Sequence, residues 1–456
     1  MQDIRHPMAL FRRSSISLLV GLALSSAAQA QSLIEIYDMA KAYDAAFQSA
    51  KSQYQATLAK ADQGLANLLP TANLSSGATR SSLESTTNPA TTTTDRSYTT
   101  QTAGVNLTQP LYRPANLANY RQSQKALDSA QAALIQAEQD LIVRSSQAYF
   151  DVLGSHDSLT FVKAQKTAVA EQLASAKRNF EVGTATITDT REAQARYDLV
   201  VAQEIAADND LRVKKMALEM LVGKSGITPI NIQNPIGLPP VPEGSLDLWV
   251  SNSEQLHPGI QQARTNLDVA KLETEKAQAG HKPTVDFTLG YNAQRNLNGT
   301  SVSALPGSIN SNQIVIASAG ISANLPLFAG FATQNRIRET VALEEKARTD
   351  LEGVQRQVAQ ATRTAYLGLQ SGLGQVKALE AAESSSQAAL DANQLGYKVG
   401  VRINIDVLNS QSQLYQTKRD LAKARYDVLV GQLKLRQANG SLKADDLQAV
   451  NALLAK

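Results

Sequence analysis

The stretch YKVGVRINIDVLNSQSQLY, residues 397–415, interrupts a long run of Ala, Gln, Leu and charged residues. A second stretch, FEVGTATITDTREAQARYD, residues 180–198, opens with the same aromatic-x-Val-Gly pattern. In each stretch an aspartate follows the glycine by six positions: Gly183 and Asp189 in one, Gly400 and Asp406 in the other. The glycines are 217 positions apart, and so are the aspartates. This fixed offset indicates an internal repeat, with a helical hairpin tip at each glycine.

Two further landmarks return at nearly the same spacing. LPTANLSSG, residues 69–77, resembles KPTVDFTLG, residues 282–290, and AGVNLTQPLY, residues 103–112, resembles AGISANLPLF, residues 319–328. Chance matches would not keep this order at offsets of 213 and 216 positions. We therefore divide the chain into five parts: a signal peptide (1–30), a first repeat (31–223), a Pro-rich linker (224–244), a second repeat (245–440) and a C-terminal tail (441–456).

Within each repeat the predicted order is helix, two strands, long helix, break and helix. The predicted helices are 33–68, 115–181 and 187–222 in the first repeat, and 245–281, 332–398 and 405–439 in the second. Each long helix would extend ~100 Å and each shorter one ~50 Å. Leu127, Leu134 and Leu141 recur every seven residues, which indicates left-handed supercoiling against neighbouring helices. These heptads alone fit an ordinary exported coiled coil equally well.

The strands decide between a coiled coil and a membrane protein. Val285, Phe287, Leu289 and Tyr291 alternate with polar or small residues, as a transmembrane β-barrel requires. Four strands cannot close a barrel, so a dimer would supply eight strands and a filled interior, and a trimer twelve strands and a lumen. A polar inward face favours the trimer. The predicted fold class is an α+β membrane protein: a homotrimer with a long α-helical coiled-coil barrel, a transmembrane β-barrel of four strands per chain, and two internal repeats.

The N-terminus indicates export. Three basic residues, Arg5, Arg12 and Arg13, precede an apolar stretch at 16–24, and Ala28-Gln29-Ala30 fits the small-x-small rule for signal cleavage. The chain contains no cysteine, which excludes disulfides, thiolate metal sites and a lipid-modified N-terminal cysteine. A formal net charge of +3 gives no reason to expect a nucleic acid partner.

Motifs for catalysis are lacking. His156, His257 and His281 are far apart and have no metal-ligand spacing, and His6 leaves with the signal peptide. Gly223-Lys224-Ser225 imitates the end of a phosphate-binding loop, but Leu218 stands where that loop needs its first glycine. No nucleophile-elbow sequence presents a serine. We therefore expect no enzyme activity, no catalytic residue, no metal and no cofactor.

The repeated aromatic-x-Val-Gly…Asp tips, the strand segments that end in Pro110-Leu111-Tyr112 and Pro326-Leu327-Phe328, and the signal peptide together resemble the TolC family of outer-membrane efflux and secretion channels. The resemblance covers nearly the whole mature chain. It implies a homotrimer in the outer membrane that extends into the periplasm. It also implies a passive duct for type I protein secretion, multidrug efflux or both.

The family's partners are a periplasmic adaptor protein and an inner-membrane transporter of the ABC or RND type, besides outer-membrane lipid. The lack of a lipidation cysteine favours the secretion branch. A rival interpretation from another class is an exported coiled-coil adhesin or periplasmic scaffold, against which the alternating strands argue.

In this family the two tips form the periplasmic entrance. Carried over by position, the closed-state links join Thr188 and Asp189 of the first tip to Tyr397 and Arg402 of the second. Asp406 would line the narrowest ring, and Asn409 stands where some relatives place a second acidic residue. Both aspartates also lie where acids cap a new helix, so capping alone is an alternative role for them. Capping does not explain Arg402, because a cation near a helix N-terminus is unfavourable.

Overall fold

The computed structural model describes residues 30–87, 92–233, 237–238, 240, 244–297 and 313–454. The predicted signal peptide up to residue 29, parts of the predicted linker and parts of the polar loops between paired strands lie outside these residues.

The described elements follow the same order twice. The first series is α1 (Leu33–Tyr43), α2 (Ala45–Ala66), β1 (Thr71–Thr87), β2 (Thr92–Tyr112), α3 (Pro114–Glu181) and α4 (Ile187–Val222). The second is α5 (Leu246–Leu256), α6 (Pro258–Gln278), β3 (Thr284–Leu297), β4 (Gln313–Asn324), α7 (Ala332–Lys398) and α8 (Asn404–Asn439), after which comes α9 (Asp446–Asn451). None of the described helices combines the length and the hydropathy needed to cross a membrane.

The structure corrects the prediction of a single opening helix, 33–68 or 245–281, in each repeat. Asp44 ends α1 in an extended conformation (φ −56°, ψ 118°), and its carboxylate accepts the Phe47 N–H at 2.8 Å, which starts α2. His257 is likewise extended (φ −68°, ψ 122°), because the ring of Pro258 restricts the preceding residue. Each opening segment is thus two helices.

Asp44 also joins α1 to α3. Arg144 donates two hydrogen bonds to its carboxylate, at 2.9 and 3.0 Å. These bonds hold the pKa of Asp44 below its ordinary value, although burial opposes the shift. Asp44 is only 8% exposed, so burying its charge costs free energy. The guanidinium of Arg144 offsets this cost.

The described chain divides into two compact units. One contains the described residues of Met1–Gln48, Ala137–Ser253 and Ala359–Lys456; the other contains those of Ser49–Gln136 and Glu254–Val358. The first unit is helical and has three contacting aromatic rings: Tyr149 meets Phe150 edge-on at 5.3 Å, and Phe150 stacks on Tyr426 at 5.7 Å. Burial raises the pKa of both tyrosines. The hydroxyl of Tyr426 donates to Asp157 at 2.5 Å, so this core includes polar cross-links.

The C-terminal tail packs into this helical unit. Leu442, Leu447 and Leu454 are buried, and Leu454 forms an antiparallel bridge with Ile232 from the predicted linker. Gln139 of α3 donates to the main-chain oxygens of Gly440 and Leu442 at 3.0 and 3.1 Å. Segments predicted to be linker and tail thus contribute buried residues.

The second unit contains one antiparallel sheet of four strands in the order β1-β2-β3-β4. The central β2–β3 pair joins a strand of each repeat, with Val105 opposite Tyr291 and Leu107 opposite Leu289. These four side chains lie on one face, and amide and hydroxyl side chains predominate on the other. Strands β1 and β4 are the edges and have no outer partner among the described residues.

Candidate functional site

The first tip joins α3 to α4. Gly183 adopts φ +80°, a left-handed conformation that ends the helix at little cost only for glycine. The N–H groups of Thr184 and Ala185 then close back on the main-chain oxygen of Asn179 at 2.8 and 3.1 Å. The chain has therefore reversed direction before α4 begins.

A capping box starts α4. The hydroxyl of Thr186 accepts the N–H of Asp189 at 3.2 Å, and the Asp189 carboxylate accepts the N–H and hydroxyl of Thr186 at 2.9 and 2.7 Å. These reciprocal bonds satisfy N–H groups that a helix start leaves unpaired. The carboxylate of Asp189 is therefore already hydrogen-bonded at the start of its own helix, α4.

The second tip joins α7 to α8. Its glycine has the same backbone conformation as that of the first tip, but α8 begins differently from α4. Gly400 also has φ +80°, and Val401 donates to the main-chain oxygen of Gly396 at 2.9 Å. The N-cap is Ile403, which has no side-chain hydrogen bond, at the position that corresponds to Thr186. Asp406 in the first turn of α8 is therefore not drawn into a capping box. Its carboxylate lies 3.5 Å from the guanidinium of Arg402 instead.

Within one chain, the predicted links from the second tip do not reach the carboxylate of Asp189. The hydroxyl of Tyr397 accepts a hydrogen bond from the amide of Asn179 at 3.1 Å. Arg402 pairs with Asp406, and Thr188 is exposed. The structure thus places these side chains on two adjacent tips and brings only Arg402 and Asp406 together.

Asn404 connects the two tips and is not among the predicted site residues. Its side-chain nitrogen donates to the main-chain oxygen of Asp189 at 3.4 Å, and its side-chain oxygen accepts from Gln172 of α3. Although it is an amide, Asn404 is only 1% exposed. A signal was present: Asn404 occupies the position that Ile187 holds in the first repeat, so a polar residue replaces an apolar one at an otherwise similar tip.

Asn409 is also engaged by the first hairpin. Its side-chain oxygen accepts a hydrogen bond from Arg196 of α4 at 2.7 Å. The predicted position of a second acidic ring thus holds a neutral amide beside a cation. Asp406 is thus the tip aspartate whose carboxylate takes no part in a helix cap.

Apolar side chains surround the charged groups of the tips. Val182 and Ile187 of the first tip and Val399, Val401 and Ile403 of the second are exposed, Val401 to 76%. Exposed apolar patches of this kind mark surfaces that another protein covers. The tips therefore combine an exposed ion pair with exposed apolar side chains.

Comparison with known proteins agrees with this architecture. The family model of outer membrane efflux proteins matches residues 36–224 and again residues 249–441. The outer membrane protein TolC of Vibrio cholerae is 31% identical over 429 residues, which cover 94% of this chain and 95% of that protein. The proteases secretion protein PrtF of Dickeya chrysanthemi is 29% identical, with coverage of 97% and 95%.

A solved structure shows the same fold. The crystal structure of the outer membrane protein VceC from Vibrio cholerae superposes with a TM-score of 0.76 at 19% identity. The superposition covers 90% of this chain and 96% of that one.

Proposed function

This chain belongs to the outer membrane efflux protein family, and we propose that three copies of it form a channel closed at its periplasmic end by the two hairpin tips. The chain is an outer-membrane channel for secretion or efflux and not an enzyme. The observation that carries the proposed gate is the ion pair of Arg402 and Asp406. Neither group is used to cap a helix, and both remain accessible at the second tip.

The sheet supports assembly of several copies. Among the described residues, β1 and β4 have no neighbouring strand on their outer sides, and an open sheet edge is not tolerated in lipid. Pairing of β4 from one copy with β1 of the next would remove these edges. Three copies would supply twelve strands, enough to enclose a lumen. The apolar face of the sheet would then meet outer-membrane lipid, and the amide and hydroxyl face would line water.

The surface of α4 supports the same assembly. Leu199, Val213 and Met220 lie at multiples of seven residues, and 47% to 77% of each side chain is exposed. A stripe with this spacing suits packing against a helix of another copy. We propose that the helix packed against this stripe belongs to a second copy of this chain, because the sheet edges also require a neighbouring copy.

At the closed end, Arg402 of one copy would reach Thr188 and Asp189 of its neighbour. Charge-assisted hydrogen bonds of this kind contribute about 1.5–3 kcal/mol each, which biases a gate without locking it. Three Asp406 carboxylates near one axis would attract cations and raise a barrier to anions. Asn409 adds no second acidic ring.

The apolar residues of the tips are the proposed contact for a periplasmic adaptor, which would connect the channel to an inner-membrane transporter of the ABC or RND type. PrtF is named for the secretion of proteases. Secretion of a polypeptide by this chain is proposed on that likeness, with small-molecule efflux as the alternative cargo.

The experiment that tests the assembly is light-scattering mass determination on protein extracted from outer membranes, combined with ion conductance in planar bilayers. We expect a protein mass of three copies and discrete conducting steps. A monomer that conducts no ions would contradict the proposal.

A further inference from the structure

The residue that follows the predicted cleavage site is held against the predicted linker. Gln31 forms a parallel bridge with Pro229. Its main-chain N–H donates to the oxygen of Thr228 at 2.8 Å, and its main-chain oxygen accepts the N–H of Ile230 at 3.1 Å. The hydroxyl of Tyr149 donates to the main-chain oxygens of Gln31 and Ile230 at 3.4 and 2.8 Å. The main chain of Gln31 is therefore fixed in place.

The side chain of Gln31 makes a further bond to the same linker residue. Its Oε1 accepts the N–H of Thr228 at 2.9 Å. In a regular parallel ladder this N–H would instead bond the main-chain oxygen two positions before Gln31. Because the side-chain oxygen takes that place, the side chain folds back alongside its own main-chain nitrogen. The bridge thus closes at Gln31 and needs no residue before it.

Thr228 is suited to receive both groups of Gln31. Pro229 follows Thr228 and restricts it to extended conformations. In an extended residue the N–H and the C=O point to the same side, as they do in a hydrogen-bonded pair of an antiparallel sheet. The main-chain nitrogen and the side-chain oxygen of Gln31 are therefore gathered against one side of one residue.

Cleavage after Ala30 would change the chemistry of this nitrogen. Ala30 is exposed and precedes Gln31 in the described chain, so the nitrogen is there a peptide N–H. With Gln31 as the first residue it would be an amine, which can attack the adjacent side-chain amide. The amine nitrogen bonds to Cδ and the bond from Cδ to Nε2 breaks. Nε2 takes up one amine proton and leaves as ammonia, so the product is a five-membered lactam and no other reactant is needed.

Thr228 supplies two contacts that favour this reaction. Its N–H donates to Oε1, the oxygen that gains negative charge while the amine attacks Cδ. Its main-chain oxygen accepts a hydrogen from the attacking nitrogen. Both contacts hold the reacting groups together and exclude the unproductive conformations that a flexible chain end samples.

We propose that Gln31 is a modification site, at which the exported chain cyclises to an N-terminal lactam with Thr228 as the positioning residue. The lactam keeps the side-chain and main-chain oxygens of Gln31, which accept from Thr228 and Ile230. It has no ammonium, so the chain loses one positive charge and the free amine that aminopeptidases require. The proposal rests on the predicted cleavage after Ala30 and is independent of the gate at the tips.

The test uses the full mature chain behind a removable extension, which a protease cuts directly before Gln31 to start the reaction at a known time. One half of the sample stays folded in detergent, and the other half is unfolded in urea. Both are kept at about pH 8, where roughly half of the α-amino groups are neutral. Mass spectrometry of the N-terminal peptide follows the lactam, which is lighter than the glutamine form by one ammonia. We expect cyclisation about tenfold faster in the folded chain.

Thr228→Pro and Thr228→Val are the matched variants. Proline has no N–H to donate to Oε1, whereas valine keeps the N–H and a β-branched side chain. We expect folded Thr228→Pro to cyclise about tenfold more slowly than the unmodified folded chain, and Thr228→Val to match the unmodified chain. Melting temperatures show whether each variant is folded. If Thr228→Pro does not fold, the folded and unfolded halves of the unmodified chain decide alone.

Protein extracted from outer membranes should carry the lactam at Gln31. Equal or slower cyclisation in the folded chain would overturn the proposal, and so would equal slowing by both Thr228 variants. An exported chain that begins at another residue would overturn the predicted cleavage and the proposal together. None of these outcomes involves ion conductance, so a failure here and a failure of the proposed function are distinguishable.

Discussion

The guanidinium of Arg402 lies 3.5 Å from the carboxylate of Asp406, one turn along the same tip. Their side chains are 58% and 32% exposed, and pairs of this kind contribute only about 0–1 kcal/mol. Arg402 can therefore exchange its own carboxylate for one on a neighbouring copy at little cost. In the proposed gate, this relationship would let Arg402 serve as a link that can break when the channel opens.

Arg402→Ser should raise single-channel conductance in planar bilayers severalfold, because the closed state loses its charged link. Tyr397→Phe should raise it less, since it removes only the hydroxyl that Asn179 contacts. Arg356→Ser is the control, because it also breaks an exposed ion pair four residues apart, with Glu352, but lies outside the tips. Equal conductance in all three variants would show that the links are misassigned.

Asp406→Asn should weaken cation selectivity. The variant removes the carboxylate proposed to line the constriction and leaves the charge of Arg402 uncompensated. The reversal potential under a salt gradient measures this change, and the shift should shrink as ionic strength rises. The control is Asp198→Asn, an exposed acid of α4 that is hydrogen-bonded to Gln194. A reversal potential that does not move would exclude Asp406 from the pore.

Ile403→Thr should give α8 the capping box that α4 already has. Threonine at the N-cap would bond the N–H of Asp406 and draw its carboxylate away from Arg402. We expect slower hydrogen exchange at the start of α8, by a stabilisation of about 1 kcal/mol, and higher conductance. Ile403→Val, which cannot cap, should change neither. Slower exchange without a change in conductance would show that the Arg402–Asp406 pair does not act on the gate.

Asp44→Asn should destabilise the helical unit by about 2 kcal/mol at neutral pH, because Arg144 loses a charged partner. The folded-state pKa of Asp44 lies below its unfolded value, so its contribution is fully present above about pH 4 and is lost as the pH falls through the folded pKa. Melting curves of the two proteins should converge in acid. Asp208→Asn, in an exposed pair with Arg212, should melt like the unmodified chain at every pH. A constant difference between Asp44→Asn and the unmodified chain at all pH values would rule out the charge as its cause.

Much of the fold was readable from local patterns. The predicted family, the mixed fold of long helices with strands, and the outer-membrane location are confirmed. The strands could be predicted from alternating apolar residues, and the turns from Gly183 and Gly400. Both signals depend only on residues close together in the sequence. The helix breaks at Asp44 and His257 were missed, since one extended residue hardly disturbs an apolar periodicity.

The candidate site was only partly readable. Repeat spacing pointed to Arg402 and Asp406, whose contact lies within one turn. The partners of Asn404 are 232 and 215 positions away, and no local pattern encodes such contacts. The capping role of Asp189 depends on Thr186 three residues earlier and is visible in the structure, whereas its role in the gate stays a prediction.

The central claim is that tips of neighbouring copies meet and close the channel. The chain has no cysteine, so Thr188→Cys combined with Arg402→Cys introduces the only thiols. A disulfide requires the two Cβ atoms to lie about 4 Å apart. We predict that oxidation links copies covalently, as seen on denaturing gels, and abolishes conductance until a reductant restores it. Unlinked single chains, with a current unaffected by oxidation, would contradict the account.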